Sequence, residues 1–256
     1  MNCDTLETNV RSTSILLFCV LLSGSAGLFA DGFLEVETGV AFTGYNDVRI
    51  PSDTGTKISL ASDTFSSPAY AFRVRGGYTF AERHTFMVLV APLVVHGSGT
   101  LNHAVSFQGK SFTAGTNLES SYRFDSYRLT YRYAFVKDES LVLAAGLTVK
   151  LRSADIALMS DTAYAHRSDL GVVPLVSLMA EWSFARPWSF LLDADALVTP
   201  FGRAEDVLAA LQYRLSDSLS LRLGYRMLEG GSGGAGGNVY TFALFHYATA
   251  GISVRF

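Results

Sequence analysis

Residues 127–135 read YRLTYRYAF. Successive side chains of a β-strand point to opposite faces, so one face of this segment carries Tyr127, Leu129, Tyr131, Tyr133 and Phe135 and the other Arg128, Thr130, Arg132 and Ala134. A soluble sandwich or lipocalin-like barrel shows its polar face to water and packs large apolar groups inside. This segment reads the opposite way, with oily side chains toward hydrocarbon and ions toward a closed interior.

The same alternation recurs along the chain. Residues 34–42 set Leu34, Val36, Thr38, Val40 and Phe42 against Glu35, Glu37, Gly39 and Ala41. Residues 70–80 set Phe72, Val74 and Tyr78 against Arg73, Arg75 and Thr79, and residues 141–152 set Leu143, Ala145, Leu147 and Val149 against Ala144, Gly146, Thr148 and Lys150. Glutamates at alternate positions cannot face lipid, which assigns them to the lumen. Further strands are expected at 86–95, 171–184, 188–198, 206–215, 219–227 and 239–256. The fold class is therefore all-β: an antiparallel up-and-down transmembrane β-barrel over residues 33–256, with ten strands returning both termini to one side. Proline inside a ladder predicts a bulge or break at Pro92 and Pro174, and eight strands result if those segments pair differently.

Composition agrees. Apolar residues make up 49% of the 256-residue chain and charged residues 17%, with 23 glycines, too oily for an ordinary soluble enzyme and too interrupted for helical spans. The longest apolar run past the N-terminus, residues 87–95, falls well short of the roughly 20 residues that a membrane-crossing helix needs. A net charge of -3 offers no basis for nucleic-acid binding.

Residues 1–26 have the parts of a secretory signal in order: Arg11, an apolar stretch over 15–22, then Ser23, Gly24, Ser25 and Ala26, with cleavage expected after residue 26 or 30. Cys3 and Cys19 leave with it. The mature chain then has no disulfide, cysteine nucleophile or cysteine metal ligand, and neither metal nor cofactor is expected.

Connections alternate in length. Short turns are expected near 81–84, 137–140, 185–187 and 216–218, and long links at 46–67, 97–121, 153–169 and 229–238; the link 199–205 is short where an outer loop is due. Short periplasmic turns and longer outer loops are the habit of bacterial barrels. Tyr78, Phe80, Phe86, Tyr133, Phe135, Trp182, Phe184, Trp188, Phe190 and Tyr213 flank the short turns, where an interfacial aromatic girdle belongs.

The last eight residues, TAGISVRF, resemble the C-terminal assembly signal of bacterial outer-membrane proteins through Thr249, Gly251, Val254 and the terminal Phe256. The resemblance implies recognition by the barrel-insertion machinery and residence among outer-membrane lipids. In architecture the mature portion looks like the small barrels of the OmpW and OmpX type, and its size and polar lumen suit the ten-stranded class that includes omptins. No motif ties it to OmpW, whose strands number eight.

Candidate chemistry lies in the lumen charges: Glu35, Glu37, Glu181, Asp193 and Asp195 against Arg73, Arg75, Arg128, Arg132, Lys150, Arg152, Arg214, Arg222 and Arg226. In a narrow barrel such groups are expected to pair across the interior and fill it. A constricted pore favouring anions is the other reading. Asp193 and Asp195 share a strand face and could activate water or hold a metal, but salt bridges with arginines are expected instead. Omptins pair carboxylates with an Asp-His couple near the outer rim; here His166 precedes Arg167, and His246 lies between Phe245 and Tyr247. His96-Gly97-Ser98 and His166-Arg167-Ser168 resemble the His-x-Ser of the lipid A deacylase PagL, yet the Asn that follows in that family is Gly99 or Asp169 here. Glycine-rich 229–238 lacks a Gly-Lys-Ser/Thr ending and reads as a flexible outer loop. The expected function is a non-enzymatic, monomeric surface protein or narrow channel meeting small solutes or host ligands, with a lipid A-modifying or omptin-like hydrolase as the alternative.

Overall fold

The computed structural model describes residues 30–235 and 238–256; the expected signal segment lies outside them. Ten strands form the wall: β1 (Ala30–Arg49), β2 (Ala69–Phe80), β3 in two pieces (His84–Ala91 and Val94–Thr100), β4 (Asn117–Lys137), β5 (Leu141–Met159), β6 (Tyr164–Ala185), β7 (Trp188–Thr199), β8 (Gly202–Arg214), β9 (Leu219–Gly233) and β10 (Tyr240–Arg255). Each is hydrogen-bonded to the next, and β1 closes on β10 from Phe33↔Arg255 to Arg49↔Tyr240. The C-terminal residue locks the seam, where the Phe256 N–H donates to the Gly32 carbonyl and the Gly32 N–H to that of Phe256, both at 2.9 Å.

Outward positions carry the apolar rows. Leu147, Leu223 and Val149 are more than half exposed, whereas Thr148 and Lys150 beside them are buried. The closed wall thus presents hydrocarbon outside and ions inside, the polarity of a membrane-spanning barrel. At the turn end the aromatics pack in short series, with Phe80 and Phe86 stacked at centroids 5.9 Å apart, Trp182 and Phe184 tilted at 5.5 Å, and Trp188 edge-on to Tyr213 at 4.8 Å.

Pro92 interrupts β3, as expected, but the register against β4 carries through from Ala91↔Ser126 to Val94↔Arg123. Pro174 makes no break. It pairs with Val149 in an unshifted ladder, while pairing to β7 begins only at Val176↔Ala196, so its missing N–H removes no bond.

Two of the expected outer loops are largely strand. Residues 117–121 belong to β4, and residues 153–169 split into the ends of β5 and β6 joined by a tight turn in which the Ser160 N–H donates to Ala163. Above the lipid band the outward face can be polar, as at Asp155 and Ser168, while Ile156 and Leu158 still point inward. The amphipathic signal fades there although the ladder continues. β9 likewise extends to Gly233, into the glycine-rich link.

The β4–β5 turn is built on Asp138, whose carboxylate accepts the Ser140 N–H at 2.9 Å and the Leu141 N–H at 2.8 Å. The Ser140 backbone bond, then that of Leu141, hold its carboxyl below the ordinary value. A depressed folded pKa contributes stability that is present above the unfolded value and lost as pH falls through the folded one. The expected result is an Asp138 titration midpoint, read by NMR, below that of the Asp138-containing peptide unfolded in denaturant.

Candidate functional site

The interior is divided along its length into three zones. In the middle, side chains from six strands form a continuous ionic layer. Glu37 of β1 accepts from Arg226 Nε (2.8 Å), Arg226 Nη2 (2.9 Å) and Arg222 Nη2 (3.0 Å) of β9. Asp206 of β8 receives Arg73 Nη2 from β2 (2.9 Å), Arg128 Nη2 from β4 (2.5 Å) and Arg226 Nη1 (2.5 Å). Asp195 of β7 accepts from Arg128 Nη1 (2.8 Å), Thr148 Oγ1 (3.0 Å) and Ser177 Oγ (2.5 Å). Asp193 takes Arg132 Nη2 (2.6 Å) and Arg75 Nη1 (2.5 Å), and Glu35 lies 3.2 Å from Arg222 and 3.5 Å from Arg75. Each carboxylate is held by at least one guanidinium, the pairing that makes burial of such charges tolerable.

Toward the loop end the filling becomes apolar. Inward residues Leu118, Tyr122, Ile156, Leu158 and Phe245 meet Ile50, Ile58, Leu60, Phe107 and Phe112, which the two long loops 50–68 and 101–116 bring into one buried cluster. Backbone bonds fasten these loops to the wall and to each other: Leu60 to Asn46, Gln108 to Ile50, and Thr56 to Ser106. The Thr64 and Ser120 hydroxyls meet at 2.6 Å, and Gly97 is needed beside them because a Cβ there would collide with the Thr64 carbonyl.

Toward the turn end lies a cavity of about 330 Å³ whose lining includes Arg75, Arg132, Asp193, Glu181 and Arg214. It ends inward on the ionic layer.

No protein-family model matches the sequence, and no curated protein matches it. Among solved structures the chain is similar to the outer membrane protease OmpT from Escherichia coli (9% identity over 91% of this chain and 99% of that one, TM-score 0.48). It is also similar to Ail, the attachment invasion locus protein of Yersinia pestis (12% identity, 88% and 99%, 0.39), and to an outer membrane channel from Pseudomonas putida F1 (9%, 91% and 98%, 0.43).

The candidate residues do not all join the ionic layer. Glu35, Glu37, Arg73, Arg75, Arg128, Arg132, Asp193, Asp195, Arg222 and Arg226 meet there. Lys150 is buried with its Nζ 4.6 Å from the Phe124 ring centroid and makes no ion pair among the described residues. Arg152 pairs instead with Asp169, Glu181 accepts from Ser189 Oγ at 3.1 Å, and Arg214 sits on the turn-end cavity. Asp206, a hub of three arginines, is absent from the sequence-based set. Among the residues expected to form a C-terminal assembly signal, Gly251 has a local role: a Cβ there would lie 2.8 Å from Arg222 Nε. Thr249 Oγ1 donates to the Gly224 carbonyl at 3.3 Å, Val254 pairs with Leu34, and Phe256 closes the seam. His166 Nδ1 lies 3.1 Å from Asp155 Oδ2, an exposed cross-strand couple that no sequence adjacency announced. It stands on the outward face of the wall, whereas Asp193 and Asp195 point inward, so these groups do not form one site.

Proposed function

We propose that this chain is a non-conducting outer-membrane barrel that carries a rigid, strand-built surface beyond the lipid band. The observation behind this reading is the double filling of the lumen: the buried ionic layer centred on Arg226, Glu37 and Asp206, and the aromatic and aliphatic cluster outside it. A path for water or solute along the barrel axis has to break both. The tall side of the wall, where β4, β5 and β6 rise past their lipid-facing rows, supplies the surface, with Arg123, Asp155, His166 and Ser168 turned outward.

The same packing supports a non-enzymatic role. General-base work needs a carboxylate oxygen open to water, and Asp193 and Asp195 are each about 4% exposed with arginines and hydroxyls on their oxygens. The chain functions as a monomer in outer-membrane lipid after assembly by the barrel-insertion machinery, and its partners are ligands of the outer surface.

In planar bilayers the purified barrel is expected to give no unitary current at either polarity. Stepwise, reproducible conductance from the wild-type protein overturns the proposal and returns the pore reading.

A further inference from the structure

The wall is incomplete between β6 and β7. Their pairing starts at Val176↔Ala196 and runs toward the turn end, because β7 stops at Thr199 whereas β6 continues out to Tyr164. Residues 164–175 therefore have β5 on one side and, among the described residues, no paired strand on the other. The inward-facing residues at this height register the gap. Leu118 and Tyr122 of β4 and Ile156 and Leu158 of β5 are buried, and so is Ala165 at the outer end of β6, yet Arg167 and Asp169, next along the same face of β6, are exposed. Leu170 and Val172, which face outward on this stretch, are each 68% exposed and place the lower part of the notch at hydrocarbon depth. An open sheet edge at that depth leaves backbone groups without partners unless something covers it.

Cations gather behind this edge. Arg152 of β5 stands opposite Gly171 of β6, and a Cβ at Gly171 would lie 3.0 Å from Arg152 Nη2, so the guanidinium reaches to the last strand before the gap. Arg152 is bonded to Asp169, but its Nε is buried without a partner. Lys150, the next inward residue on β5, is 3% exposed and makes no ion pair among the described residues; Arg167 makes none either. Arg152 and Arg167 thus share one carboxylate, Asp169, at this edge, with Lys150 behind them between the Phe124 ring and the ionic layer.

We propose that the notch binds the phosphate-bearing head of an anionic amphiphile from the outer leaflet, held by Arg152 and Arg167 with Lys150 behind them. Guanidinium forks match phosphate oxygens bidentately. The acyl chains stay in the bilayer against Leu170, Val172, Pro174 and Val198, all on the outward face around the gap. Addition of a peptide strand satisfies the edge as well but leaves the excess cation of the Arg152, Arg167 and Asp169 group uncompensated, so the charge pattern favours the lipid. The ionic layer below and the apolar cluster above make the notch a binding site and not a passage, and it stands whether or not the barrel conducts.

The test uses Ser168→Cys on the β6 edge, labelled with a fluorophore, in a mature chain that has no other cysteine. The barrel is reconstituted in phosphatidylcholine vesicles doped with brominated phosphatidylglycerol or, at equal mole fraction, brominated phosphatidylcholine. Quenching by the anionic lipid is expected at a mole fraction lower by roughly thirtyfold, as attraction by two arginines predicts. Arg152→Gln with Arg167→Gln removes that preference, while Arg255→Gln at the opposite end keeps it; the strand circular-dichroism signal checks that each variant is folded. Equal quenching by the two lipids, or a preference that survives the double substitution, overturns the proposal. A change in label fluorescence with inorganic phosphate in phosphatidylcholine vesicles, with no quenching by brominated phosphatidylglycerol at any mole fraction, assigns the site to a free anion and overturns entry from the bilayer. Protection of the residue 164–175 amides from exchange that is the same in vesicles of phosphatidylcholine alone assigns the edge to a strand and overturns the lipid.

Discussion

Arg226→Met is expected to lower the unfolding free energy of the membrane-embedded barrel by about 3–5 kcal/mol, the usual cost of removing one partner from a buried ionic cluster. Arg226 donates through all three guanidinium nitrogens, Nε and Nη2 to Glu37 and Nη1 to Asp206, and is 2% exposed. Methionine matches much of its length but no donor. Glu37 then keeps Arg222, with Arg73 at 3.7 Å, and Asp206 keeps Arg73 and Arg128, so both lose part of their compensation in a site that water does not reach. The effect is not the worth of the pair itself. Removing two acids together with two cations, as Arg226→Met and Arg73→Met with Glu37→Gln and Asp206→Asn, is expected to recover most of the loss, because the desolvation cost leaves with the charges while Arg222 keeps Glu35 and Arg128 keeps Asp195. Urea unfolding in lipid vesicles, followed by the fluorescence of Trp182 and Trp188, reads all three proteins. A single-variant loss under about 1 kcal/mol, the range of exposed pairs, contradicts a packed ionic layer.

Leu147→Arg is expected to cost about 2–4 kcal/mol, the range for arginine on the lipid face near the bilayer midplane. Leu147 is 66% exposed and lies midway along β5, between Leu141 at the turn and Ser153 near the outer interface, across from Tyr131 and Val176. In a soluble barrel an arginine at so exposed a position is harmless, since such surface changes stay within about 0.5 kcal/mol. The same urea titration separates the cases. A Leu147→Arg barrel as stable as the wild type, or a mature chain that stays soluble without detergent, removes the inside-out assignment from which the rest of the molecule is understood.

Residues 127–135 show what the sequence makes legible and how. Their period of two is imposed by the strand itself, so the face of Arg128 and Arg132 follows from parity alone, and the same holds for Glu35, Glu37, Arg73 and Arg75. Parity becomes unreadable where chemistry on the two faces converges. Asp206 shares its inward face with Leu208 and Ala210, whose apolar side chains hide the alternation, although Arg214 on that face was a visible pointer. On the outer parts of β4, β5 and β6 water replaces lipid, the demand for an oily outward face ends, and strands resemble polar loops.

Strand geometry and solvent alone therefore assign each residue its face within the lipid band and place the short turns. Height along the barrel was decided only by the tertiary structure. Arg152, Glu181 and Arg214 have the inward parity of the ionic layer, yet the register of ten tilted strands sets them outside it. Contacts such as Arg226 with Glu37, 189 residues apart, and the open edge of β6 beside the shorter β7, exist only once the sheet has closed on itself and fixed which strand ends lie side by side.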